Sequence, residues 1–401
     1  MSDKNTSTSF ILTVNVGSSS IKFALFDGST VLRKINGGAI ENIGQSSAVL
    51  TVGDSITPAV VPDHMAAAQI LTDWLKRQNP ETTISVIGHR IVHGGPQYYE
   101  PCLIDDKMLN DLRELVLFDP EHLPREIQLI EEFRNLFPNA KQVACFDTAF
   151  HHDLPSVARL LPIPRHFEAK GIRRYGFHGL SYAFVLQELQ RLEDSDVANG
   201  RLVVAHLGSG ASLVAIRDGK SIDTTMGLTP AAGIPMSTRS GDLDPGLALY
   251  LSHTEGYDIA KFNDMVNFKS GLLGVSETSA DMKQLLEREI EDPRAKDAVD
   301  LFCYQAKKSI GSLAAALGGL DTLVFTGGMG ENAPKIRARI CEGLEFLGIT
   351  LEAQKNDAGV SLISSADSRV AVRVIHADES AIIAQSVQQV TTNKIAEDSI
   401  E

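Results

Sequence analysis

Apolar runs and helical patterns alternate along the whole chain. Runs rich in β-branched and aromatic residues predict strands at residues 10–16, 21–26, 84–91, 142–146, 202–207, 212–216 and 323–325. Apolar residues at helical spacing predict helices at residues 65–77, 125–137, 180–192, 282–290 and 296–317. Because strands and helices interleave, the chain is expected to be an α/β protein.

Two segments repeat one pattern 191 positions apart. Residues 15–18 (Asn-Val-Gly-Ser) match 206–209 (His-Leu-Gly-Ser), and 24–28 match 215–219 without a gap. Each copy contains a strand, a Gly/Ser turn, a second strand and an Asp-Gly turn, and Asp-Gly between β-prone runs is a strong hairpin signal. The repeat predicts two related domains, each opening with a hairpin whose tip carries glycine and serine. Chance similarity in a short window is the alternative.

Composition narrows the class of protein. A chain of 401 residues suits two domains, and 43% hydrophobic with 22% charged residues is an ordinary globular balance. The net charge of -14 argues against nucleic-acid binding, which needs a basic face. The four cysteines form no C-x-x-C pair, which favours a reducing compartment such as the cytoplasm. The polar first nine residues and the lack of a long apolar run predict neither a signal peptide nor a membrane span.

Three glycine-rich segments are candidates for phosphate binding. Residues 15–22 and 206–210 form the two hairpin tips, where backbone N–H groups and hydroxyls can approach phosphate oxygens. Neither is a Walker A loop. Residues 326–332 (Thr-Gly-Gly-Met-Gly-Glu-Asn) follow a strand, and a helix is expected to start near 332–334. Residues 328–333 also satisfy G-x-G-x-x-A, with Glu352 about 20 residues further on, so dinucleotide binding is a rival interpretation.

Charged residues beside predicted strands are candidates for catalysis. Arg90 and Arg239 suit carboxylate or phosphate, although a surface salt bridge would explain either one alone. Asp147 ends a strand, where a carboxylate serves metal or proton chemistry, or simply caps a turn. His178 lies between glycines and aromatic residues and is either a fixed functional imidazole or a packed one. The adjacent pair at 151–152 is interpreted as structural, and no spacing predicts a zinc site.

Eight motifs occur in order along the chain: Asn-Val-Gly-Ser-Ser-Ser-Ile-Lys-Phe, Gly-His-Arg-Ile-Val-His-Gly-Gly, Phe-Asp-Thr-Ala-Phe-His, Tyr-Gly-Phe-His-Gly-Leu-Ser-Tyr, His-Leu-Gly-Ser-Gly, Met-Gly-Leu-Thr-Pro, Thr-Arg-Ser-Gly-Asp and Phe-Thr-Gly-Gly-Met-Gly-Glu-Asn. With them, the chain resembles the acetate kinase family, within the acetate and sugar kinase/Hsp70/actin superfamily, over nearly its full length. The resemblance implies a duplicated two-domain actin-like ATPase fold with an active-site cleft between the domains. It implies an N-terminal domain of residues 1–150 plus 381–401 and a C-terminal domain of residues 151–380.

The resemblance also implies an activity: reversible phosphorylation of a short carboxylate by ATP, with acetate first and propionate next. Mg²⁺, or Mn²⁺, would assist, and the enzyme would be a homodimer built on the C-terminal domain. The metal would be positioned by Asn15 and Glu379. The catalytic group would comprise Asp147, His178, Arg239, Arg90 and His122, and the substrate pocket Arg90, Val92, Phe177 and Pro230. Residues implied to contact ATP are Lys22, Ser18, Ser20, His206, Leu207, Gly208, Ser209, Gly210, Asp281, Met282, Lys283, Gly328, Met329, Gly330, Glu331 and Asn332.

Three positions depart from the family pattern. Ser209 stands where the family usually has Asn, and Lys283 where it usually has Arg, which changes two contacts to ATP. Glu121 replaces an apolar residue of the methyl pocket, and a carboxylate there would repel a second anion. A kinase for a more polar acid is therefore one alternative. An NAD-dependent dehydrogenase and a non-catalytic nucleotide-binding regulator are the alternatives from other classes.

Overall fold

The computed structural model describes residues 9–17, 19–28, 31–78, 83–192 and 195–398. Strands and helices are numbered in chain order. The strands are β1 (Ser9–Val16), β2 (Ser20–Asp27), β3 (Arg33–Glu41), β4 (Val49–Val52), β5 (Ser55–Pro58), β6 (Thr83–Ile91), β7 (Cys102–Leu103), β8 (Lys141–Phe146), β9 (Leu202–Leu207), β10 (Ala211–Arg217), β11 (Lys220–Thr224), β12 (Thr322–Thr326) and β13 (Ala371–Val374). The helices are α1 (His64–Gln78), α2 (Asp106–Glu114), α3 (Leu123–Leu136), α4 (Ser156–Arg159), α5 (Gly179–Leu192), α6 (Ser195–Asn199), α7 (Gly246–Thr254), α8 (Ile259–Phe268), α9 (Gly271–Ser276), α10 (Met282–Arg288), α11 (Pro293–Leu317), α12 (Gly327–Asn332), α13 (Pro334–Cys341), α14 (Ala353–Ala358) and α15 (Glu379–Asp398).

The chain forms two compact units. The first unit comprises the described residues up to Ala149 and those from Asp378 onward, and the second comprises Phe150–Ala377. Within the described residues, no helix is both long and apolar enough to cross a membrane.

The first unit is built on an eight-stranded sheet in the order β5-β4-β3-β2-β1-β6-β8-β7. Strands β1 to β5 pair antiparallel as successive hairpins, while β6 lies parallel to both β1 and β8. Helix α15 packs closely on β6: a Cβ at Gly88 would lie 2.5 Å from Ile383 and 2.6 Å from Val387. On the same unit, α1 and α3 contact each other and enclose a core that includes Trp74 and Phe133.

The second unit is built on a five-stranded sheet in the order β11-β10-β9-β12-β13. Strands β9, β10 and β11 pair antiparallel, and β12 lies parallel to β9 and β13. The longest helix, α11, contacts β10, β11 and β9. Its ends follow from the sequence: the side chain of Asp292 accepts a hydrogen bond from Arg294 N, and Gly318 closes the helix with φ +72°.

The two sheets share a five-stranded core, which confirms the predicted duplication. Strands β3-β2-β1-β6-β8 of the first sheet have the same order and directions as β11-β10-β9-β12-β13 of the second, with three strands antiparallel and two parallel. The gapless match is wrong by one residue, however. Val16 pairs with Ile21 across the first tip, whereas Leu207 pairs with Ala211 across the second, so the second tip is one residue shorter. A one-residue shift matters because it exchanges the two faces of a strand.

Every predicted strand and helix is present, and the Asp-Gly hairpin of the second unit is confirmed. Asp218 and Gly219 have φ of +53° and +71°, as a two-residue hairpin turn requires. The helix expected to start near residues 332–334 is present: α13 begins at Pro334, although its N-cap is Ala333 and not an asparagine. Helix α12, which begins at Gly327 directly after β12, was not predicted. The side chain of Glu331 explains the start of α12, because it accepts hydrogen bonds from Gly327 N (3.0 Å) and Thr326 Oγ1 (3.3 Å).

Candidate active site

In the first unit, Arg90 at the end of β6 is held by a buried carboxylate. Its Nε and Nη2 donate to Oδ1 and Oδ2 of Asp147 at 3.2 and 2.5 Å. The Arg90 side chain is 13% exposed and Asp147 is fully buried. Burial alone would lower the pKa of Arg90, but Asp147 and Glu379 raise it above its ordinary value. The parallel pairing of β6 and β8, which sets Arg90 opposite Cys145, brings the two groups together.

Asn15 and Glu379 lie beside this pair. The amide nitrogen of Asn15 donates to Glu379 Oε2 at 2.6 Å, and its oxygen accepts from Arg90 Nη1 at 3.4 Å. Lys22 is the cross-strand partner of Asn15 and is exposed. Amide and carboxylate oxygens are hard ligands, and Mg²⁺ commonly takes one or two from protein and the rest from phosphate and water. Asn15 and Glu379 therefore fit the magnesium role that the sequence assigns to them.

The first hairpin tip is fixed from its own unit. Gly17 N donates to Ser20 O at 2.8 Å, and Ile43 N donates to Ser19 O at 3.0 Å. His64 Nε2 lies 2.9 Å from Gly17 O. Ser18, which was assigned to ATP, lies outside the described residues. Sequence reasoning missed His64, which belongs to no motif and contacts the tip through a backbone carbonyl.

His122 lies at the N-cap position of α3 but does not cap it with its side chain. Its Nδ1 lies 2.8 Å from Oδ1 of Asp119, a residue that is 1% exposed. Glu121, between them in sequence, is half-buried. Sequence reasoning did not single out Asp119; its three-residue spacing from His122 at a predicted helix start was the available signal.

A third buried carboxyl, that of Glu126, supports the segment directly after β6, where Val92 lies. Both oxygens of Glu126, on α3, accept a hydrogen bond from Val92 N at 3.2 Å. Burial raises the pKa of Glu126 well above its usual range, and the charge of Asp119 raises it further. Glu126 was also missed, because an acidic residue in the first turn of a helix reads as an ordinary surface charge.

In the second unit, His178 and His206 stack face to face. Their ring centroids are 4.2 Å apart and the ring planes differ by 15°. Nδ1 of His178 lies 2.8 Å from Ser212 Oγ, and Nδ1 of His206 lies 2.8 Å from Ser181 Oγ. Tyr182 hydrogen-bonds the same Ser212 hydroxyl. These hydroxyls, absent from the sequence-based assignment, fix both rings.

Both rings and Arg239 reach the second hairpin tip. A Cβ at Gly210 would lie 3.2 Å from His178 Nε2 and 3.4 Å from Arg239 Nη1, and one at Gly208 would lie 3.7 Å from His206 Nε2. His178 itself has φ +61°, an uncommon conformation for a residue with a side chain. The structure thus collects three of the predicted residues around one glycine-rich turn.

Arg239 is placed by a tight loop. Met236 N donates to Arg239 O at 3.0 Å, and Ser237 N donates to Ser209 O at 3.1 Å, which ties the loop to the tip. The guanidinium Nη1 donates to Pro230 O at 3.4 Å. Pro230 and Phe177, the second-unit members of the predicted substrate pocket, are both buried. Val92, the other apolar member of the predicted pocket, belongs to the first unit.

The remaining residues assigned to ATP fall into two groups. Asp281 caps α10 by accepting from Gln284 N, with Met282 buried and Lys283 exposed after it. The second group belongs to α12. This helix starts beside the second hairpin tip, because a Cβ at Gly208 of the tip would lie 4.0 Å from Gly328 N. The carboxylate of Glu331 also accepts from Ala377 N (3.2 Å) and from His376 (2.9 Å). Glu331 thus organises the polypeptide around α12, which leaves its assignment to ATP as a prediction.

Arg337, which sequence reasoning also missed, supports the C-terminal end of α12. It is fully buried, and its Nη1 donates to the carbonyls of Gly330 and Glu331 at 2.9 Å. Its other donors reach Asn356. A buried arginine at the C-terminal end of a short helix satisfies carbonyls that would otherwise be unpaired.

The dinucleotide-binding alternative is wrong. In that fold the G-x-G-x-x-A segment turns from a strand into a long helix, and an acidic residue follows at the end of the next strand. Here the segment covers most of the six-residue α12 and ends at Ala333, between α12 and α13. Glu352 instead precedes α14, at its N-cap position.

Comparison with known proteins agrees with this geometry. The model of the Acetokinase family matches residues 10–385. An acetate kinase of Nitrobacter hamburgensis is 44% identical over 386 residues, covering 94% of this chain and 94% of the relative. A propionate kinase structure from Francisella tularensis subsp. tularensis matches with a TM-score of 0.88 and 36% identity, covering 95% of this chain and all of that one. An acetate kinase structure from Porphyromonas gingivalis matches with a TM-score of 0.83 and 33% identity, covering 96% and 100%.

The fold and these residue sets define an α/β phosphotransferase of the actin-like ATPase fold, which confirms the predicted fold class. The chain belongs to the acetokinase family, whose enzymes transfer phosphoryl groups to carboxyl groups and use ATP. This membership confirms the predicted resemblance and enzyme class.

Proposed function

We propose that this protein catalyses the reversible transfer of the γ-phosphoryl group of ATP to acetate, giving acetyl phosphate and ADP. The observation that carries the proposal is the family match over residues 10–385, with relatives such as the Nitrobacter hamburgensis acetate kinase. Propionate is the second substrate to consider, because a structure with a TM-score of 0.88 is a propionate kinase.

The chemistry requires little covalent help from the protein. A carboxylate is already ionised at pH 7, so its oxygen attacks the γ-phosphorus without a general base while the bond to the ADP oxygen breaks. Such a transfer depends on positioning and on neutralising charge at the phosphoryl oxygens. We assign that stabilisation to Arg90, Arg239, His178 and His122, which are arginine or histidine donors held by fixed neighbours.

Asp147 is assigned a supporting part. Both of its oxygens are taken by Arg90, so it holds the guanidinium in one orientation. A direct contact of Asp147 with substrate stays a prediction. Val92, Phe177 and Pro230 are proposed to surround the methyl end of the acid, which a small apolar pocket would accept.

ATP is assigned to the two hairpin tips and α12. Backbone N–H groups of Ser209, Gly210 and Gly328, together with Lys22, suit phosphate oxygens. Asn15 and Glu379 would hold Mg²⁺, which supplies positive charge to the phosphates. The hydroxyl of Ser209 and the ammonium of Lys283 are expected to alter ATP affinity relative to enzymes with Asn and Arg at these positions.

A homodimer in the cytoplasm completes the proposal. Large apolar side chains are exposed on the second unit, among them Leu249 (65%), Tyr250 (64%), Ile259 (82%) and Tyr304 (58%), and such surfaces commonly bury against a partner. The four cysteines are free thiols, as a reducing compartment allows. Light scattering during size-exclusion chromatography would give twice the 43.4 kDa chain mass for a dimer.

The test is a hydroxylamine-trapping assay with purified protein, ATP, Mg²⁺ and a panel of short carboxylic acids. The proposal predicts acyl hydroxamate with acetate and less with propionate. Product only with a hydroxylated or amino acid would favour the alternative kinase for a polar acid. If no acid reacts while calorimetry still detects ATP binding, the protein is a nucleotide-binding regulator and the proposal fails.

A further inference from the structure

The start of α3 contains an aspartate–histidine pair with an unusual setting. Nδ1 of His122 lies 2.8 Å from Asp119 Oδ1, and the two side chains are 13% and 1% exposed. Asp119 is also fixed through its backbone. Its N–H donates to Val116 O and its carbonyl accepts from Leu123 N, both at 3.2 Å. The carboxylate is therefore held in one place relative to the imidazole.

The second oxygen of Asp119 is buried and has no hydrogen-bond partner within the described residues. A buried carboxylate with one hydrogen bond is unfavourable unless a positive charge compensates it. The other oxygen of Asp119, Oδ1, contacts the imidazole of His122. A protonated imidazole would supply the compensating charge, so the pair is stabilised when His122 is cationic.

The hydrogen-bond inventory of imidazole leads to the same state. A ring that donates Nδ1–H to a carboxylate can donate to a second anion only through Nε2, and it then needs protons on both nitrogens. The N-terminus of α3 opposes a positive charge, because the helix dipole is positive at that end. The negative charge of Asp119 offsets this repulsion.

We propose that Asp119 is the positioning residue of His122: it accepts the Nδ1 proton and stabilises the doubly protonated ring, so that His122 presents an Nε2–H donor to the transferring phosphoryl group. This inference rests on the proposed function, in which His122 contacts that group.

Other charged groups lie near the pair. Glu121 and Arg125 belong to the same segment of chain. Glu126 of α3 interacts electrostatically with Asp119, with Arg90 from β6 and with Asp147 after β8. Glu126 accepts hydrogen bonds from Val92 N, whereas Asp119 lies within hydrogen-bond distance of the His122 ring.

The kinetic test uses Asp119→Asn, which keeps the shape and a hydrogen-bond acceptor but removes the charge. We expect kcat to fall about 10- to 100-fold, the range seen for carboxylates that orient metal-binding imidazoles, with KM for acetate and ATP within about twofold of wild type. In a His122→Ala background the same substitution should cost nothing further. Glu114→Gln, an exposed carboxylate on α2, is the control. An unchanged kcat, or full additivity with His122→Ala, overturns the proposal.

A second readout does not depend on activity. Nitrogen-15 labelling of the histidines, with His122 assigned by its loss in His122→Ala, reports which ring nitrogens carry protons. The doubly protonated form of His122 should persist to higher pH in wild type than in Asp119→Asn. If protonation of the His122 ring depends on pH in the same way in the two proteins, the proposed role of Asp119 is overturned, even if the enzyme is active. If wild type phosphorylates no acid, the proposed function fails while this measurement still tests Asp119.

Discussion

The two units hold their polar residues by different means. In the first unit, Arg90 is bound by the carboxylate of Asp147, with Glu379 4.0 Å away. In the second unit, the rings of His178 and His206 are oriented by the hydroxyls of Ser212 and Ser181. Carboxylates fix an arginine firmly but cancel much of its charge, whereas hydroxyls orient a ring and leave its charge unchanged.

This difference suggests a division of labour. The first unit is suited to placing a guanidinium accurately, since a bidentate pair leaves it little freedom. The second unit is suited to meeting negative charge, since His178, His206 and Arg239 all approach the tip at Gly208 and Gly210. The predictions below test this contrast.

The largest effect is expected from Arg90→Ala. It removes a donor to the substrates and takes the guanidinium away from the buried carboxylate of Asp147. We expect kcat to fall by about 100- to 1000-fold and the free energy of unfolding to fall by about 3–5 kcal/mol. Trapping assays and denaturant titrations measure the two losses. Arg191→Ala, which breaks an exposed pair with Glu188, is the control. Near-normal turnover in Arg90→Ala would refute the assignment of Arg90.

Arg239→Ala should reduce turnover because the positive charge of the guanidinium is lost, and not because the substrate is misplaced. We expect kcat to fall by about 100-fold or more, with a smaller change in KM for acetate, because the guanidinium acts most strongly on the charge that develops during transfer. Arg239→Lys should recover part of the loss, since it restores the charge without the fork. Steady-state kinetics with acetate and ATP decide; a change confined to KM would contradict a role in transfer.

The variant Glu126→Gln tests how the carboxyl that accepts from Val92 N affects the pH dependence of stability. The pKa of Glu126 is raised in the folded protein, so the folded state keeps a proton that the unfolded chain loses above about pH 4.5. Stability therefore declines as pH rises from 4.5 towards the raised pKa, by at most about 1.4 kcal/mol per pH unit. Glu126→Gln should be relatively more stable at pH 8 than at pH 5 in urea titrations. A difference from wild type that does not vary with pH would show that Glu126 is ionised in both states.

The smallest effect is expected from Glu121→Leu. If the half-buried carboxylate faces the substrate, its removal should improve acetate turnover and lower KM a few-fold, because a like charge no longer opposes the anion. Glu114→Gln again provides the surface comparison. Kinetic constants equal to those of wild type would mean that Glu121 points away from the pocket.

Local patterns were sufficient for elements with a clear period. The strands that carry Asn15 and Arg90, the strand that precedes Asp147 and the helices with strong apolar spacing were predicted because their periodicity reflects one buried face. Strand β3 was missed because its sequence, Arg-Lys-Ile-Asn-Gly-Gly-Ala-Ile-Glu, resembles a loop. Tertiary packing explains its glycines: a Cβ at Gly38 would lie 2.1 Å from Thr51 O on the neighbouring strand.

The sequence by itself determined the family, the α/β class, the duplication and the residue types of the candidate site, since these depend on motifs and short-range periodicity. Only the tertiary structure decided the shorter second tip, the additional helix α12 ahead of α13 and the pairing of Asp119 with His122. The physical reason is that strand register, helix capping and the burial of a charge depend on neighbours that are distant in sequence or on local geometry. The sequence does not distinguish the carboxylates of Asp119 and Glu126. Their tertiary surroundings give them different partners, the His122 ring for Asp119 and Val92 N for Glu126.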